Sequence, residues 1–142
     1  MGSIRVLIAD DHSLFAKTLE ALLAGAGGIE VVGTAADGLE AVALSATLCP
    51  DIVLMDVEMP HLDGFAATRR LCELGLGTSV IVLTASGDAE KSQLASEAGA
   101  LGFLTKDRIG EALVPAILSV AGASARLSAD GSADLAGRAR VG

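Results

Sequence analysis

Short apolar runs alternate with longer, helix-like segments, and this alternation repeats about five times along the chain. The short runs have the length and composition of buried β-strands, and the longer segments have the apolar period of helices. The predicted strands are Ile4–Ala9, Glu30–Ala35, Ile52–Met55, Val80–Leu83 and Gly102–Thr105. Strands that alternate with helices in this way form a parallel sheet. The sequence therefore predicts an α/β fold of doubly wound (βα)5 architecture, with five parallel strands and helices on both faces.

Residues that favour helix N-termini stand before four of the predicted helices. Ser13 is expected to cap the first helix, which runs to about Ala24. The next three helices are expected to run from Asp37 to about Thr47, from Asp63 to about Leu74 and from Asp88 to about Ala98.

The fifth predicted helix contains Pro115, which lacks the backbone N–H that an interior helix bond needs. A helix that begins at Arg108 would place this proline in its interior, whereas one that begins at Glu111 would keep it in the more tolerant first turns. We therefore expect the helix to begin at Glu111 and to run past Val120.

The length of 142 residues fits one domain with a short appendage. From Ser124 onward the sequence is small, polar and weakly periodic, which is typical of a linker or a flexible tail. The sequence therefore divides into a domain at residues 3–122 and a linker or flexible C-terminal tail at 123–142.

Composition argues against two classes of partner. The net charge is −8, no basic stripe is present, and Tyr and Trp are absent, so this chain alone is not expected to bind nucleic acid. No apolar stretch approaches the roughly 20 residues of a membrane span, and the first residues show no signal-peptide pattern. A cytoplasmic location with no membrane partner is therefore expected. In that reducing compartment Cys49 and Cys72, which lack metal-type spacing, are expected to be buried or half-buried thiols.

Polar side chains stand where four of the predicted strands end. The pair Asp10-Asp11 follows the first strand, and Asp56 follows the third. Thr84 follows the fourth strand, and Lys106 follows the fifth. The carboxyl ends of parallel strands lie together, so we expect three carboxylates, one hydroxyl and one ammonium to meet at one edge of the sheet.

This predicted group of side chains suits a divalent cation together with a phosphoryl group. Three carboxylates in one pocket repel one another unless a cation lies among them. Oxygen ligands favour Mg²⁺, with Mn²⁺ as the alternative. The Lys106 ammonium would offset the negative charge of an incoming phosphoryl group. The arrangement requires the Asp56 carboxylate to lie within reach of the Lys106 amine and to be open to solvent.

These residues together resemble the receiver domain of two-component response regulators, and the resemblance covers about residues 3–122. The start Asp10-Asp11-His12 and the pair Lys106-Asp107 are most similar to the NarL/FixJ, or LuxR-type, branch of that family. Members of this branch usually carry a C-terminal helix-turn-helix, and none is recognisable in this sequence. The resemblance implies control of an output, expected to be transcription, through a DNA-binding domain absent from this chain.

The resemblance also implies a role for each acidic residue of the site. Asp56 would accept a phosphoryl group from a histidine kinase. Asp11, Asp56 and the backbone carbonyl of Glu58 would hold Mg²⁺, while Asp10 would position the metal or bind it through water. The chain would then be a phosphoacceptor and not an enzyme, apart from assisting its own phosphorylation and dephosphorylation.

A further set of residues is implied to act as the switch. Thr84 would donate a hydrogen bond to the phosphoryl group, and Lys106 would pair with it. Phe103 would couple the movement of Thr84 to an output surface made of the fourth helix, the fifth strand and the fifth helix, which is also the expected homodimer surface. Phe103 has no hydroxyl, so such coupling would act by packing alone. Without a switching role, Phe103 would be a core residue of the last strand.

The sequence leaves two other functions open. A stand-alone or phosphorylation-independent receiver would act as a protein-interaction module. A Mg²⁺-dependent phosphohydrolase would use a similar aspartyl nucleophile, although the turn at 57–60 fits a receiver better. Three roles are open for His12: it could bind the metal, donate a phosphoryl group or simply begin the first helix. We expect that it begins the helix.

Overall fold

The structure is a computed structural model that describes residues 2–130, with side chains described as far as Ala123. Five β-strands and five α-helices alternate along these residues. The strands are Ile4–Ala9 (β1), Ile29–Ala35 (β2), Ile52–Asp56 (β3), Ser79–Thr84 (β4) and Gly102–Thr105 (β5). The helices are Ser13–Ala24 (α1), Gly38–Leu48 (α2), Gly64–Leu74 (α3), Ala89–Ala98 (α4) and Ile109–Asp130 (α5). A short 3₁₀ turn, Lys106–Arg108, joins β5 to α5.

All five strands belong to one parallel sheet with the order β2-β1-β3-β4-β5. Every residue of β3 and of β4 is buried. Central parallel strands are covered by helices on both faces, which is why their sequences are nearly continuous apolar runs. The predicted doubly wound (βα)5 fold is confirmed, and the predicted strand bounds agree with the observed ones within one residue.

Two hydrophobic cores lie on opposite faces of the sheet. One core joins α2, α3 and α4 to the strands through buried residues that include Leu7, Val53, Met55, Ala41, Leu71 and Ala95. The other joins α1 and α5 to the opposite face through residues that include Ile8, Leu54, Ile81, Leu19, Leu23, Leu113 and Ile117. Successive residues of a strand point to opposite faces, so the strands serve both cores. The helices cover the two faces, and the strand ends carry the loops in which the candidate site lies.

Aspartate side chains close the N-termini of three helices. Asp37, Asp63 and Asp88 each accept a hydrogen bond from the backbone N–H three residues later. These bonds satisfy donors that have no partner inside the helix, and the three predicted helix starts are confirmed.

The predicted cap of α1 is wrong. Ser13 is the first residue inside the helix, and His12 precedes it in an extended conformation. The Asp10 carboxylate accepts a hydrogen bond from the His12 backbone N–H at 2.8 Å, which holds the chain extended at that residue. The helix therefore begins directly after His12, and no side chain caps it.

The predicted start of α5 is also wrong. The helix begins at Ile109, two residues before Glu111, because the 3₁₀ turn leads directly into it. Pro115 therefore lies inside the helix, beyond the tolerant first turn, and removes a bond to the carbonyl four residues earlier. The helix runs past Val120, as predicted.

The fifth helix ends at Asp130, so it continues beyond the predicted domain boundary between residues 122 and 123. The division into a domain at 3–122 and a tail at 123–142 stays a prediction, and residues 131–142 lie outside the described residues. Within residues 2–130, no helix combines the length and the apolar character that crossing a membrane requires.

Both cysteines are exposed, which corrects the prediction of buried or half-buried thiols. Cys49 follows α2 with a left-handed backbone, so it stands beyond the helix and not beneath it. Cys72 lies on α3, and its thiol approaches the Gly99 carbonyl oxygen at 3.7 Å. Helical periodicity does not identify the solvent side of a short helix when small apolar residues occupy several of its faces.

The α5 core provides a test of the packing. Leu113 is fully buried against the sheet, whereas Leu118 on the same helix is 51% exposed. We expect Leu113→Ala to lower the free energy of unfolding by about 2–5 kcal/mol, because it leaves a cavity in a packed core. Urea denaturation followed by circular dichroism measures this loss. Leu118→Ala is the matched control, and an equal loss in both variants would contradict the assigned packing of α5.

Candidate functional site

The parallel register brings the ends of β1, β3 and β4 to one edge of the sheet. The Asp10 backbone N–H donates to the Ala35 carbonyl at 3.0 Å, which continues the β1–β2 pairing to the first acidic residue. Asp56 is the last residue of β3 and is in register with Leu83. Thr84 ends β4 on the neighbouring strand. The main chain therefore fixes the starting positions of these side chains.

Lys106 reaches from the end of β5 across to this acidic group. Its Nζ lies 3.0 Å from Oδ2 of Asp10 and 3.1 Å from Oδ1 of Asp56. Both carboxylates are buried, and the lysine side chain is mostly buried as well. The ring of Phe15 lies beneath the ammonium, with its centroid 4.3 Å from Nζ. The predicted approach of the Asp56 carboxylate to the Lys106 amine is present in the structure.

Burial and charge shift the proton equilibria of this pair. Burial raises the pKa of Asp56 to about 6, the neighbouring Asp10 carboxylate adds to the rise, and Lys106 opposes it. For Lys106, burial disfavours the ammonium, but hydrogen bonds to Asp10 and Asp56 outweigh that effect and raise its pKa. The Asp56 carboxyl is therefore ionised at neutral pH but lies close to its titration range.

The expectation that Asp56 is open to solvent is wrong for this structure, since its side chain is only 5% exposed. Lys106 contacts one carboxylate oxygen, Oδ1. The other oxygen, Oδ2, is buried and has no hydrogen-bond partner among the described residues. A buried charged oxygen without a partner is costly, and a bound cation would compensate it.

The acidic cluster has the donors that a divalent cation needs. Asp10, Asp11, His12 and Asp56 each offer one ligand atom, and these four atoms lie within 4.8 Å of one another. The unpartnered Asp56 oxygen and the excess of carboxylates both fit such an ion. The residues present therefore fit Mg²⁺ or Mn²⁺, and Asp10, Asp11 and Asp56 would hold it.

Glu58 lies in the loop that follows β3, two residues beyond Asp56. It lines the same cleft as Asp11, and its side chain is exposed. The metal-binding role of its backbone carbonyl stays a prediction. Close packing fixes the far end of this loop, because a Cβ at Gly64 would overlap the carbonyl oxygen of Asp56.

The Thr84 hydroxyl makes its hydrogen bond within the loop that follows β4. It is buried and donates to the Ser86 carbonyl oxygen at 3.0 Å. The Lys91 ammonium on α4 donates to the same oxygen at 3.1 Å and approaches the Ser86 hydroxyl at 3.4 Å. A hydrogen bond from Thr84 to a phosphoryl group would require the hydroxyl to leave this carbonyl.

Phe103 is half-buried at the edge of the core formed with α2, α3 and α4. Its ring lies beside the loop after β4, since a Cβ at Gly87 would fall 3.1 Å from the ring and would also overlap the Thr105 methyl. The side chain therefore contacts both the core and the loop that carries Ser86. This position is compatible with either predicted role, packing or coupling, and the switching role stays a prediction.

Three contacts of the site were not foreseen from the sequence. One is the contact of the Lys91 ammonium with the Ser86 carbonyl oxygen, and another is the position of the Phe15 ring beneath the Lys106 ammonium. The position of the His12 ring beside both acidic residues was also missed, although the sequence had raised His12 as a metal ligand. Of these three contacts, that of Phe15 with Lys106 joins different βα units and has no local sequence signal. The other two join near neighbours in the sequence, and they depend on the conformation of a loop, which periodicity does not report.

The fold and the site together define a class of protein. A parallel sheet of order 2-1-3-4-5 with its site at the carboxyl ends of the strands is a flavodoxin-like α/β domain. In this chain that edge holds an acidic cluster that could bind a metal and a lysine paired with it. The model of the response regulator receiver domain matches residues 6–118, and the chain belongs to this family.

Individual relatives agree with this assignment. The transcriptional regulatory protein LiaR of Bacillus subtilis is 44% identical over 103 residues, which cover 72% of this chain and 49% of that protein. Protein-glutamate methylesterase/protein-glutamine glutaminase 5 of Myxococcus xanthus is 37% identical over 136 residues, which cover 89% of this chain and 39% of that enzyme. The signal receiver domain of NarL from Mycobacterium tuberculosis superimposes with a TM-score of 0.83 at 34% identity, over 86% of this chain and 98% of that one.

These matches confirm the resemblance to NarL- and LuxR-type receivers. The chain spans about half the length of LiaR and 39% of the length of the methylesterase. The relatives include both a transcriptional regulator and an enzyme, so receivers of this kind occur in proteins with different outputs.

The raised pKa of Asp56 makes stability depend on pH. Since ionisation is harder in the folded protein than in the unfolded chain, the favourable contribution of the neutral carboxyl is present below about pH 4 and is lost as pH rises through about 6. We expect Asp56→Asn to remove this part of the pH dependence, which amounts to at most about 3 kcal/mol.

The measurement is urea unfolding of both proteins in a chelating buffer between pH 4 and 8. Asp107→Asn, which alters an exposed carboxylate next to Lys106, serves as the control. A difference between Asp56→Asn and the parent chain that does not change with pH would contradict the perturbed titration of Asp56.

Proposed function

We propose that Asp56 is the phosphoacceptor of a response regulator and that a histidine kinase is its phosphodonor. The observation that carries this proposal is the Lys106 ammonium held between the Asp10 and Asp56 carboxylates at the carboxyl edge of the sheet. Membership of the receiver family supplies the reaction class, and this arrangement supports Asp56 as the residue that reacts.

The chemistry follows from the charges at this edge. A carboxylate oxygen of Asp56 attacks phosphorus, and the bond between phosphorus and the imidazole nitrogen of the donor breaks, with its electron pair remaining on the imidazole. No general base is needed, because Asp56 is ionised above about pH 6. Lys106 offsets the added negative charge, and Mg²⁺ or Mn²⁺, when bound, supplies further charge neutralisation.

The switch depends on how far Lys106 and Thr84 favour the phosphorylated state. An ammonium about 4 Å from one added negative charge gains roughly 4 kcal/mol at an effective dielectric near 20. Reversing a two-state equilibrium from 1:99 to 99:1 takes about 5.5 kcal/mol. Lys106 already contacts two carboxylates, so its net gain is smaller and the Thr84 hydrogen bond has to contribute. The contacts of Thr84 and Lys91 with the Ser86 carbonyl represent the unphosphorylated arrangement in this proposal.

The output surface in this proposal consists of α4, β5 and α5. Large apolar side chains are exposed on all three parts of this region: Leu94 on α4, Leu101 just before β5 and Leu118 on α5. The proposal assigns these exposed side chains to contacts with another protein. Homodimer formation through this surface is part of the proposal, as is control of transcription by a DNA-binding domain outside this chain.

One observation favours a second candidate function. The Asp56 side chain is only 5% exposed, and a carboxylate that a phosphodonor does not reach would suit a receiver that works as a phosphorylation-independent interaction module. The phosphohydrolase alternative has no comparable support, and we propose that the chain itself is not an enzyme.

The cytoplasmic location and the lack of nucleic-acid and membrane partners stay predictions from the sequence.

Phosphorylation of Asp56 is the direct test. We expect the chain to be labelled by a small phosphoramidate donor in the presence of Mg²⁺, and Asp56→Asn to remain unlabelled because its amide cannot attack phosphorus. The measurement is intact-protein mass spectrometry at neutral pH. Asp107→Asn should be labelled normally, and chelation of the metal with EDTA should abolish labelling of the parent chain.

The outcomes separate the candidate functions. Undiminished, acid-stable labelling of Asp56→Asn would contradict Asp56 as the phosphoacceptor. A parent chain that binds Mg²⁺ but is not labelled by the donor or by a kinase would favour the interaction module. Continuous release of phosphate from small esters would favour the phosphohydrolase.

The output surface is tested by the oligomeric state. We expect phosphorylation to increase the fraction of dimer in sedimentation velocity experiments and Leu118→Arg to prevent this increase, because a charge there would be buried in the dimer. Leu14→Arg introduces the same charge on α1, at a residue that is 78% exposed and lies outside the proposed surface. Dimer formation that is equally sensitive to both substitutions would contradict the assignment.

A further inference from the structure

The imidazole of His12 lies against the acidic pair that precedes it in the sequence. Its Nδ1 is 3.3 Å from Oδ1 of Asp10 and 3.2 Å from Oδ1 of Asp11. The backbone N–H of His12 also donates to the Asp10 carboxylate at 2.8 Å. This bond fixes the main chain of His12 beside the cluster, so the ring does not need to be brought in by a loop movement.

Two separate observations indicate that this cluster is suited to bind a cation. Asp56, whose side chain is 95% buried, keeps one carboxylate oxygen without a hydrogen-bond partner among the described residues. One ligand atom from each of Asp10, Asp11, His12 and Asp56 lies within 4.8 Å of the others. Metal bonds to nitrogen and oxygen are about 2.0–2.2 Å long, so ligands of one ion stand up to about 4 Å apart. Only a small contraction would let all four residues contact a single ion.

The chemical type of the ligand atoms determines which metal ion this cluster prefers. Mg²⁺ is a hard cation that prefers oxygen ligands and keeps several waters, so it gains little from an imidazole nitrogen. Imidazole suits Zn²⁺, Ni²⁺ and other later first-row metals, whose affinity for a given site also exceeds that of the earlier ones. Three carboxylates alone would not show this preference as strongly as three carboxylates with one imidazole.

We propose that His12 is a direct ligand of the cation site and gives it a nitrogen donor for divalent transition metals such as Co²⁺, Ni²⁺ and Zn²⁺. This inference rests on the cation site of the proposed function and extends it by naming a fourth ligand and the metals that it selects. The site then binds Mg²⁺ through oxygen ligands, while the transition metals use the His12 nitrogen as well.

The second histidine of the chain provides a matched control. The Nδ1 of His61 lies 2.9 Å from one carboxylate oxygen of Asp37, and its side chain is about as exposed as that of His12. His61 has one acidic neighbour in that contact, and His12 has two. Replacing either histidine changes the composition of the chain in the same way, but only His12 belongs to the four-residue cluster.

The experiment titrates the untagged, metal-free chain with CoCl₂ and, separately, with MgCl₂. Visible absorption of Co²⁺ reports its ligands, and calorimetry gives both affinities. We expect His12→Ala to lower Co²⁺ affinity at least about tenfold, since even the loss of an outer-shell partner of a metal ligand costs that much. The Co²⁺ absorption should change in shape and intensity, and Mg²⁺ affinity should stay within about a factor of three, because Mg²⁺ does not use the nitrogen. His61→Ala should resemble the parent chain in all three measurements.

Three results would overturn the inference: an unchanged Co²⁺ affinity and spectrum in His12→Ala, equal losses for Co²⁺ and Mg²⁺, or tighter binding of both ions. The last result would show that His12 competes with the metal for the carboxylates. These results differ from a failure of the proposed function, in which the parent chain would bind neither ion or Asp56 would not be labelled.

Discussion

The contact of the Lys106 ammonium with the carboxylates of Asp10 and Asp56 is the interaction on which the rest of the site depends. Two buried carboxylates side by side repel each other, and burial already raises the pKa of Asp56 to about 6. A single ammonium lowers the cost of holding both charges at the sheet edge. It does not remove that cost, since one oxygen of Asp56 remains without a partner among the described residues. The site is thus arranged to gain from a second cation.

The sheet and its two packed cores hold the charged residues of the site in nearly fixed positions. β1 and β3 are neighbours in the sheet. Asp10 directly follows β1 and Asp56 ends β3, so both acidic residues lie at the same edge. The backbone of α3 approaches Asp56 so closely that only glycine fits at residue 64. Packed cores on both faces of the sheet resist displacement of the strands. Movement in response to phosphorylation therefore falls to the side chains and loops at the edge.

Those loops already hold one defined arrangement. The Thr84 hydroxyl and the Lys91 ammonium meet at the Ser86 carbonyl, and the Phe103 ring lies beside the same loop. A signal that drew the Thr84 hydroxyl to a phosphoryl group would break one of these contacts and disturb the others. α4 directly follows this loop and carries the exposed Leu94, so in the proposed function a change in the loop would reach the output surface through α4.

Much of this protein was determined by its sequence alone. Continuous apolar runs with polar residues at their ends predicted the strands and the parallel sheet. They also predicted that Asp10, Asp11, Asp56, Thr84 and Lys106 lie at one edge, because the carboxyl ends of parallel strands share an edge of the sheet. The motif also predicted the receiver family. Tertiary structure decided what local pattern cannot contain: the burial of Asp56, the bond of the Thr84 hydroxyl to Ser86 and the position of the His12 ring. The extended backbone at His12, the early start of α5 and the exposure of both cysteines belong to the same group. The burial of Asp56 depends on residues that are far apart in the sequence and are brought together by folding. The bonds of Thr84 and His12 join residues only two positions apart, but they depend on the backbone conformation of a loop, whereas periodicity reports only which face of an element is apolar.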